Sequence, residues 1–187
     1  GVQKSLMVVD MPYKTYDTSV SALKNSKKIM KETKCDAVKL EGGKKIIKQI
    51  RALTKNNIPV MGHLGLLPQS AKGKFRSKGK TTKEINQLIN DALLLQKNGV
   101  FAIVLECIKT PIAKQITKSL KIPTIGIGSS VYCDGQVLVT DDLIGLNQTN
   151  IKFVKKFLNV KKYINSGLRK FAYEVRTSKY PTKKHSY

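Results

Sequence analysis

Five short apolar, β-branched runs alternate with stretches of helical periodicity, and this alternation limits the chain to few folds. The runs are residues 6–10 (LMVVD), 37–41 (AVKLE), 58–65 (IPVMGHLG), 102–106 (AIVLE) and 122–128 (IPTIGIG). Between them, Ile46, Ile47, Ile50 and Leu53 form one helical stripe, and Ile85, Leu88, Ile89 and Ala92 form another. Thr81 and Glu84 have the spacing of a capping box, and Asn98–Gly99 reads as a helix stop. Parallel strands need long crossovers, so a βαβαβ alternation implies a parallel sheet covered by helices. An open doubly wound sheet and a (β/α)8 barrel both satisfy it. Residues 133–146 (CDGQVLVTDDLIGL) have room for one more strand or a short helix. Residues 151–179 read as helical and basic, and the tail as irregular. No Pro/Gly/Ser-rich linker divides the 187 residues. The expectation is one domain over 1–187, with 151–187 as its C-terminal helical region.

Four successive runs carry a polar residue at the C-terminal end: Asp10, then Lys39 and Glu41, then His63, then Glu106. That edge is where βα loops converge and where parallel α/β folds build active sites. In a strand, residues two apart share a face, so Lys39 and Glu41 point one way and Val38 and Leu40 the other. Asp10 and Glu41 are hard oxygen donors of the kind that suits Mg²⁺, which takes one or two protein carboxylates and keeps waters or substrate oxygens. Lys39 is a fixed positive charge for a substrate carboxylate or a developing enolate. Glu106 ends a strongly apolar strand, and such surroundings favour a general base. His63 sits between glycines at the same edge, placed for a substrate or supporting hydrogen bond. Gly42 and Gly43 allow close approach of a ligand or loop to the backbone. The plainer alternative has Asp10 capping a helix and Glu41 paired with Lys39.

Lys+Arg number 35 against 12 Asp+Glu, a net charge of +23. The lysines are scattered over several helix faces, which fits surface composition as well as a polyanion partner. A nucleic-acid module finds little support, with 6% aromatic residues and no recognisable zinc finger, RNA-recognition motif or basic zipper. No apolar run is long enough to span a bilayer, and the first residues lack the apolar core of a secretory signal. Cys35, Cys107 and Cys133 show no metal-ligand spacing, so free thiols in a cytoplasmic protein are expected.

The runs VVDMPY, DAVKLEGG, VMGHLGLLPQS, IVLECI, IPTIGIGSS with CDGQVLV, and EVRTSKYPTKKHSY together resemble the ketopantoate (3-methyl-2-oxobutanoate) hydroxymethyltransferase family. They occur in that family's order along almost the whole chain. The resemblance implies a (β/α)8 TIM barrel of the phosphoenolpyruvate/pyruvate type. It implies transfer of a one-carbon unit from 5,10-methylenetetrahydrofolate to 3-methyl-2-oxobutanoate through a Mg²⁺-stabilised enolate, giving 2-dehydropantoate for pantothenate and coenzyme A. Asp10 is then expected to bind Mg²⁺ and the 2-oxo acid, Lys39 the 2-oxo acid and Glu41 the metal. Glu106 becomes the proton acceptor, and His63 lies at the pocket edge. A large homo-oligomer is implied too, with small-molecule partners, no specific nucleic acid and no membrane. The basic residues Lys72, Lys74, Arg76, Lys78 and Lys80 follow the GHLG loop, on the expected active-site side, and suit the acidic glutamyl tail of a folate.

The family's earlier Gly-Asp-Ser-Leu-Gly motif, whose aspartate is another metal ligand, has no counterpart here. The resemblance begins near the family's third barrel strand, so the barrel is expected to be incomplete at its N-terminus. On that expectation the chain alone turns over weakly or not at all. The alternatives are an inactive or split fragment of this enzyme, a related 2-oxo-acid lyase on the same barrel, or a basic nucleic-acid-binding module.

Overall fold

The five apolar runs and the short Gly135–Gln136 segment pair as six parallel strands in strict chain order, β1-β2-β3-β4-β5-β6. The computed structural model describes residues 4–71, 76–148 and 150–187. The strands are β1 (Val8–Asp10), β2 (Ala37–Glu41), β3 (Val60–Gly65), β4 (Ala102–Glu106), β5 (Thr124–Ile127) and β6 (Gly135–Gln136). Helices α1 (Ser19–Thr33), α2 (Ile47–Thr54), α3 (Thr82–Lys97) and α4 (Thr110–Ser119) connect β1 through β5. A doubly wound sheet reverses its strand order at a switch point. This order never reverses, so the sheet curls as part of a (β/α)8 barrel wall. All of this lies in one compact unit, Gly1–Val137; Leu138–Tyr187 forms a second.

The sheet's helix-facing side is apolar. Val38, Leu40, Val60 and Ile103 pack with Ile50, Leu53, Leu95 and Ile116 in a core from which water is excluded. At about 25 cal/mol per Å² of apolar area, this burial is the main term holding the layers together. In the expected stripes, Ile47, Ile50, Leu53, Leu88 and Ala92 are buried, Ile46 and Ile89 are half-buried against them, and Ile85 is half-buried.

Capping chemistry sets the helix boundaries. Thr18 and Ser21 form a full capping box on α1. On α3 only half of the expected box forms: Thr81 Oγ1 accepts from Glu84 N at 3.2 Å. The Glu84 carboxylate reaches further back and accepts from Gly79 N and Lys80 N, both at 2.8 Å. Two N–H groups of the entering loop outbid the single one that a box would satisfy. At the other end α3 stops at Asn98–Gly99 as expected, with Gly99 at φ +84.

Residues 133–146 hold both expected alternatives, β6 and the short helix α5 (Thr140–Leu143). In the second unit, α6 (Val160–Arg176) is shorter than the expected 151–179. Phe157 N and Val160 N donate to Leu143 O and Ile144 O at the end of α5, so the preceding segment satisfies its backbone outside a helix. Asn159 then caps α6 by accepting from Lys162 N. The tail, expected to be irregular, holds a 3-10 turn at Lys183–His185. No helix among the described residues is long and apolar enough to cross a membrane.

Gly65 shows how closely the loops pass over the strand ends. Its φ is +100, and a Cβ there would overlap the carbonyl oxygen of Glu106. That same oxygen accepts from Leu66 N at 2.9 Å. Replacement of Gly65 by alanine is expected to cost about 2 kcal/mol or more, from the left-handed backbone and the clash together. Urea unfolding checks this, and an unchanged midpoint contradicts it.

Candidate active site

Strand register brings the five polar residues to one face. Asp10 pairs with Lys39, Glu41 with His63, and His63 with Val104, two residues before Glu106. Paired residues in adjacent parallel strands point the same way, as do residues two apart along a strand. Asp10, Lys39, Glu41, His63 and Glu106 therefore share one side of the sheet, at its C-terminal edge, with the apolar core on the other.

The side chains meet in a continuous series. Lys39 Nζ lies 3.0 Å from Asp10 Oδ1 and 3.1 Å from His63 Nδ1. On the ring's far side, His63 Nε2 lies 3.2 Å from Glu106 Oε2, although the angle falls short of a formed hydrogen bond. Glu41 Oε1 is 4.0 Å from His63 Nδ1. An ammonium only donates, so Nδ1 accepts from Lys39 and the ring proton sits on Nε2, facing Glu106. The Asp10 side chain is 56% exposed, that of Lys39 15%, that of His63 2% and that of Glu106 12%. The Asp10 end is open to a small molecule, and His63 is the most deeply buried member.

Glu41 is buried and is held by loops. Its Oε2 accepts from Gln69 N at 3.1 Å, and its own N–H donates to Tyr16 Oη at 3.4 Å. Burial pushes its pKa above the ordinary carboxylate value, outweighing the downward pull of His63, the Gln69 N–H and Lys39; the Asp10 charge adds a smaller upward push. Burial likewise raises Tyr16. Cys107, expected to be a buried small residue, is half-buried, and burial of its thiol with the neighbouring Glu106 raises its pKa, which leaves it a poor nucleophile. The two glycines after Glu41 admit a protein group. Asp91 of α3 accepts from Lys44 N at 2.9 Å, and a Cβ on Gly43 would overlap its carboxylate.

A metal fits part of this arrangement. Among the described residues, no cluster of three His, Cys, Asp or Glu side chains has metal-holding geometry. Mg²⁺ does not need one, since one or two carboxylates plus substrate oxygens suffice. Asp10 and Glu41 are hard donors close enough for the charge of one to raise the pKa of the other. A divalent cation between them would relieve that repulsion and the cost of burying Glu41.

Beside Glu41 a cavity of about 450 Å³ opens between the 42–46 loop and α3. Leu64, Leu67 and Leu88 wall it, and Lys44, Lys45 and Lys78 contribute its cations. Besides Glu41, its acids Glu84 and Asp91 are already engaged by backbone N–H groups. Lys78 reaches this edge because its segment pairs with the chain after β4: Lys78 N donates to Cys107 O, and Lys109 N to Lys78 O. Of the expected basic loop, Lys72 and Lys74 lie outside the described residues. Tyr16 and Gln69 are the participants that the sequence did not flag. Gln69 belongs to the LPQS run, but nothing in its spacing signalled a partner on β2.

The family model described as ketopantoate hydroxymethyltransferase matches residues 1–183. A 3-methyl-2-oxobutanoate hydroxymethyltransferase of Pelagibacter ubique (strain HTCC1062) is 61% identical over 187 residues, spanning 100% of this chain and 72% of that protein. One of Clostridioides difficile (strain 630) is 45% identical over 191 residues, spanning 100% of this chain and 70% of that protein. Among solved structures, orotidine 5'-monophosphate decarboxylase of Methanocaldococcus jannaschii superposes with a TM-score of 0.46 at 16% identity, over 75% of this chain and 65% of that one.

The raised pKa of Glu41 has a consequence for stability. A fold that favours the protonated carboxyl is penalised when the group ionises, so the penalty is absent below the ordinary carboxylate range and complete above the folded pKa. With divalent cations chelated, Glu41→Gln is expected to raise the melting temperature at pH 7. The gain should disappear below about pH 4, where the carboxyl is protonated folded or unfolded. Melting curves across that range check the sign, and a variant less stable at pH 7 reverses it.

Proposed function

Because the chain belongs to the ketopantoate hydroxymethyltransferase family, we propose that it transfers a one-carbon unit from 5,10-methylenetetrahydrofolate to 3-methyl-2-oxobutanoate, forming 2-dehydropantoate. One observation carries the proposal. A single histidine bridges an anion-holding lysine and a carboxylate base, Lys39 on Nδ1 and Glu106 on Nε2. Proton abstraction next to a carbonyl needs those two functions on opposite sides of one small substrate.

Lys39 receives the 2-oxo acid and holds its negative charge as more charge gathers on the oxo oxygen. Glu106 removes the proton from the carbon next to the carbonyl. His63 Nε2 faces Glu106 Oε2 at 3.2 Å, which leaves Oε1 to take the proton. Asp10 and Glu41 would hold a Mg²⁺, which when bound would supply Lewis-acid polarisation of the oxo group. The carbanionic carbon then bonds to the methylene carbon of the donor while the donor's carbon–nitrogen bonds break. Water supplies the hydroxyl oxygen, so that donor, 2-oxo acid and water balance tetrahydrofolate and 2-dehydropantoate.

The cavity sharing Glu41 suits the donor. Its leucine walls fit a flat ring system, and Lys44, Lys45 and Lys78 fit acidic glutamyl groups. Replacing Lys78 together with Arg76 and Lys80 by alanine should raise KM for a polyglutamyl donor more than for the monoglutamyl form. Equal losses dispose of this role.

The central test needs no folate. In D₂O with Mg²⁺, the protein should exchange the proton next to the carbonyl of 3-methyl-2-oxobutanoate, followed by proton NMR. Glu106→Gln should slow exchange by about 10²- to 10⁴-fold while 2-oxo acid binding persists. Lys39→Met should weaken binding itself. Exchange at the unaltered rate in Glu106→Gln overturns the assignment of the base.

A further inference from the structure

Neither Gln69 nor Tyr16 has a role in the reaction as set out above, yet together they fix the position of Glu41. The hydrogen bonds can be assigned atom by atom. Gln69 Nε2 donates to Met11 O at 2.8 Å, and since a carbonyl only accepts, this orients the amide. Gln69 Oε1 then faces Tyr16 Oη at 3.1 Å, so the hydroxyl must donate to it. The hydroxyl's lone pairs remain for the Glu41 N–H at 3.4 Å. The Gln69 main-chain N–H closes the circuit on Glu41 Oε2 at 3.1 Å.

This circuit takes over where the sheet ends. Ala37 N donates to Met7 O, so the odd-numbered N–H groups of β2 point to β1. Glu41 N would be a further rung of that ladder, but β1 stops at Asp10 and Met11 O is already engaged by Gln69. The Tyr16 hydroxyl receives the rung instead. Tyr16 is 9% exposed and its ring belongs to the core, so its hydroxyl cannot drift. The turn carrying Gln69 is closed by bonds from Ser70 N and Ala71 N to Leu67 O. The loops after β1 and β3 are thus tied together at the end of β2.

We infer that Gln69 and Tyr16 are a positioning pair that holds the Glu41 carboxylate for a divalent cation. The inference rests on Glu41 as a cation ligand, and its test separates the two ideas. Tyr16→Phe removes only the hydroxyl and keeps the core ring; Gln69→Met removes both amide contacts at similar volume. Two measurements apply to each variant: Mn²⁺ affinity by electron paramagnetic resonance, and hydrogen exchange of the Glu41 amide.

Gln69→Met should weaken Mn²⁺ binding about tenfold, the usual effect of losing a group that orients a ligand. Tyr16→Phe should weaken it severalfold. The double variant should be no worse than Gln69→Met within a factor of two, since one circuit is broken once. Glu41 amide exchange should quicken at least tenfold in Tyr16→Phe, with the melting temperature unchanged. Tyr16→Phe also stands alone as a test if Gln69→Met does not fold. Unaltered exchange and unaltered Mn²⁺ affinity in both overturn the inference, as does full additivity in the double variant. If the unmodified protein binds no Mn²⁺, the cation role of Glu41 falls and with it the purpose assigned to the pair. Quickened amide exchange would then identify a brace for the loops alone.

Discussion

A lysine ammonium lodged between a carboxylate and an imidazole nitrogen governs the protonation around it. Lys39 has three hydrogens to donate and nothing to accept with. Its contact with His63 Nδ1 at 3.1 Å therefore sets the ring's tautomer and aims the Nε2–H at Glu106. Its contact with Asp10 at 3.0 Å balances the exposed carboxylate. Without this cation, His63 would be free to present either nitrogen to Glu106, and the series would lose its direction. Lysine suits the position because its flexible stem carries a compact charge to two partners on adjacent strands, where an arginine fork would demand planar geometry.

The cost of this arrangement falls on Glu41. Its burial raises its pKa even though three groups pull the other way. A side chain selected only for stability would not be a carboxylate here. Close backbone approaches frame the site: Gly65 over the Glu106 carbonyl, and Gly43 under Asp91. Stabilising energy from the apolar side of the sheet thus supports a polar side that is poor in it, as expected of sites built for chemistry.

The sequence revealed the layers and hid the connections between them. Strands were legible because a parallel sheet buried on both faces reads as apolar runs, and β4 is buried throughout. The C-terminal placement of Asp10, Lys39, Glu41, His63 and Glu106 was legible for the same reason. Choosing between a doubly wound sheet and a barrel wall needed strand order, which periodicity does not carry. The joining of the five residues depended on register, since a slip of one residue in β3 would have turned His63 into the helix layer. Glu84 was seen as a capping partner, yet its choice of Gly79 and Lys80 over Thr81 depends on how the loop enters α3. Tyr16 and Gln69 were invisible because 53 residues separate them and each lies in a loop without a periodic signal.

Three independent features converge on Glu41. It belongs to the charged cluster through His63, to the loop brace through Gln69 and Tyr16, and to the leucine-walled cavity through the 42–46 loop. The cluster and the cavity have no other lining residue in common among Asp10, Lys39, His63 and Glu106. Two reactants seated in those two places would meet across the end of β2, so the position of one carboxylate would set their separation. Reacting atoms must come within about 3–3.5 Å in a productive geometry, and small misplacements of supporting groups cost large factors in rate. That requirement gives a physical reason for an unfilled ladder rung to be completed by loop residues: Tyr16 takes the Glu41 N–H that β1 leaves unpaired, and the Gln69 N–H takes its carboxylate.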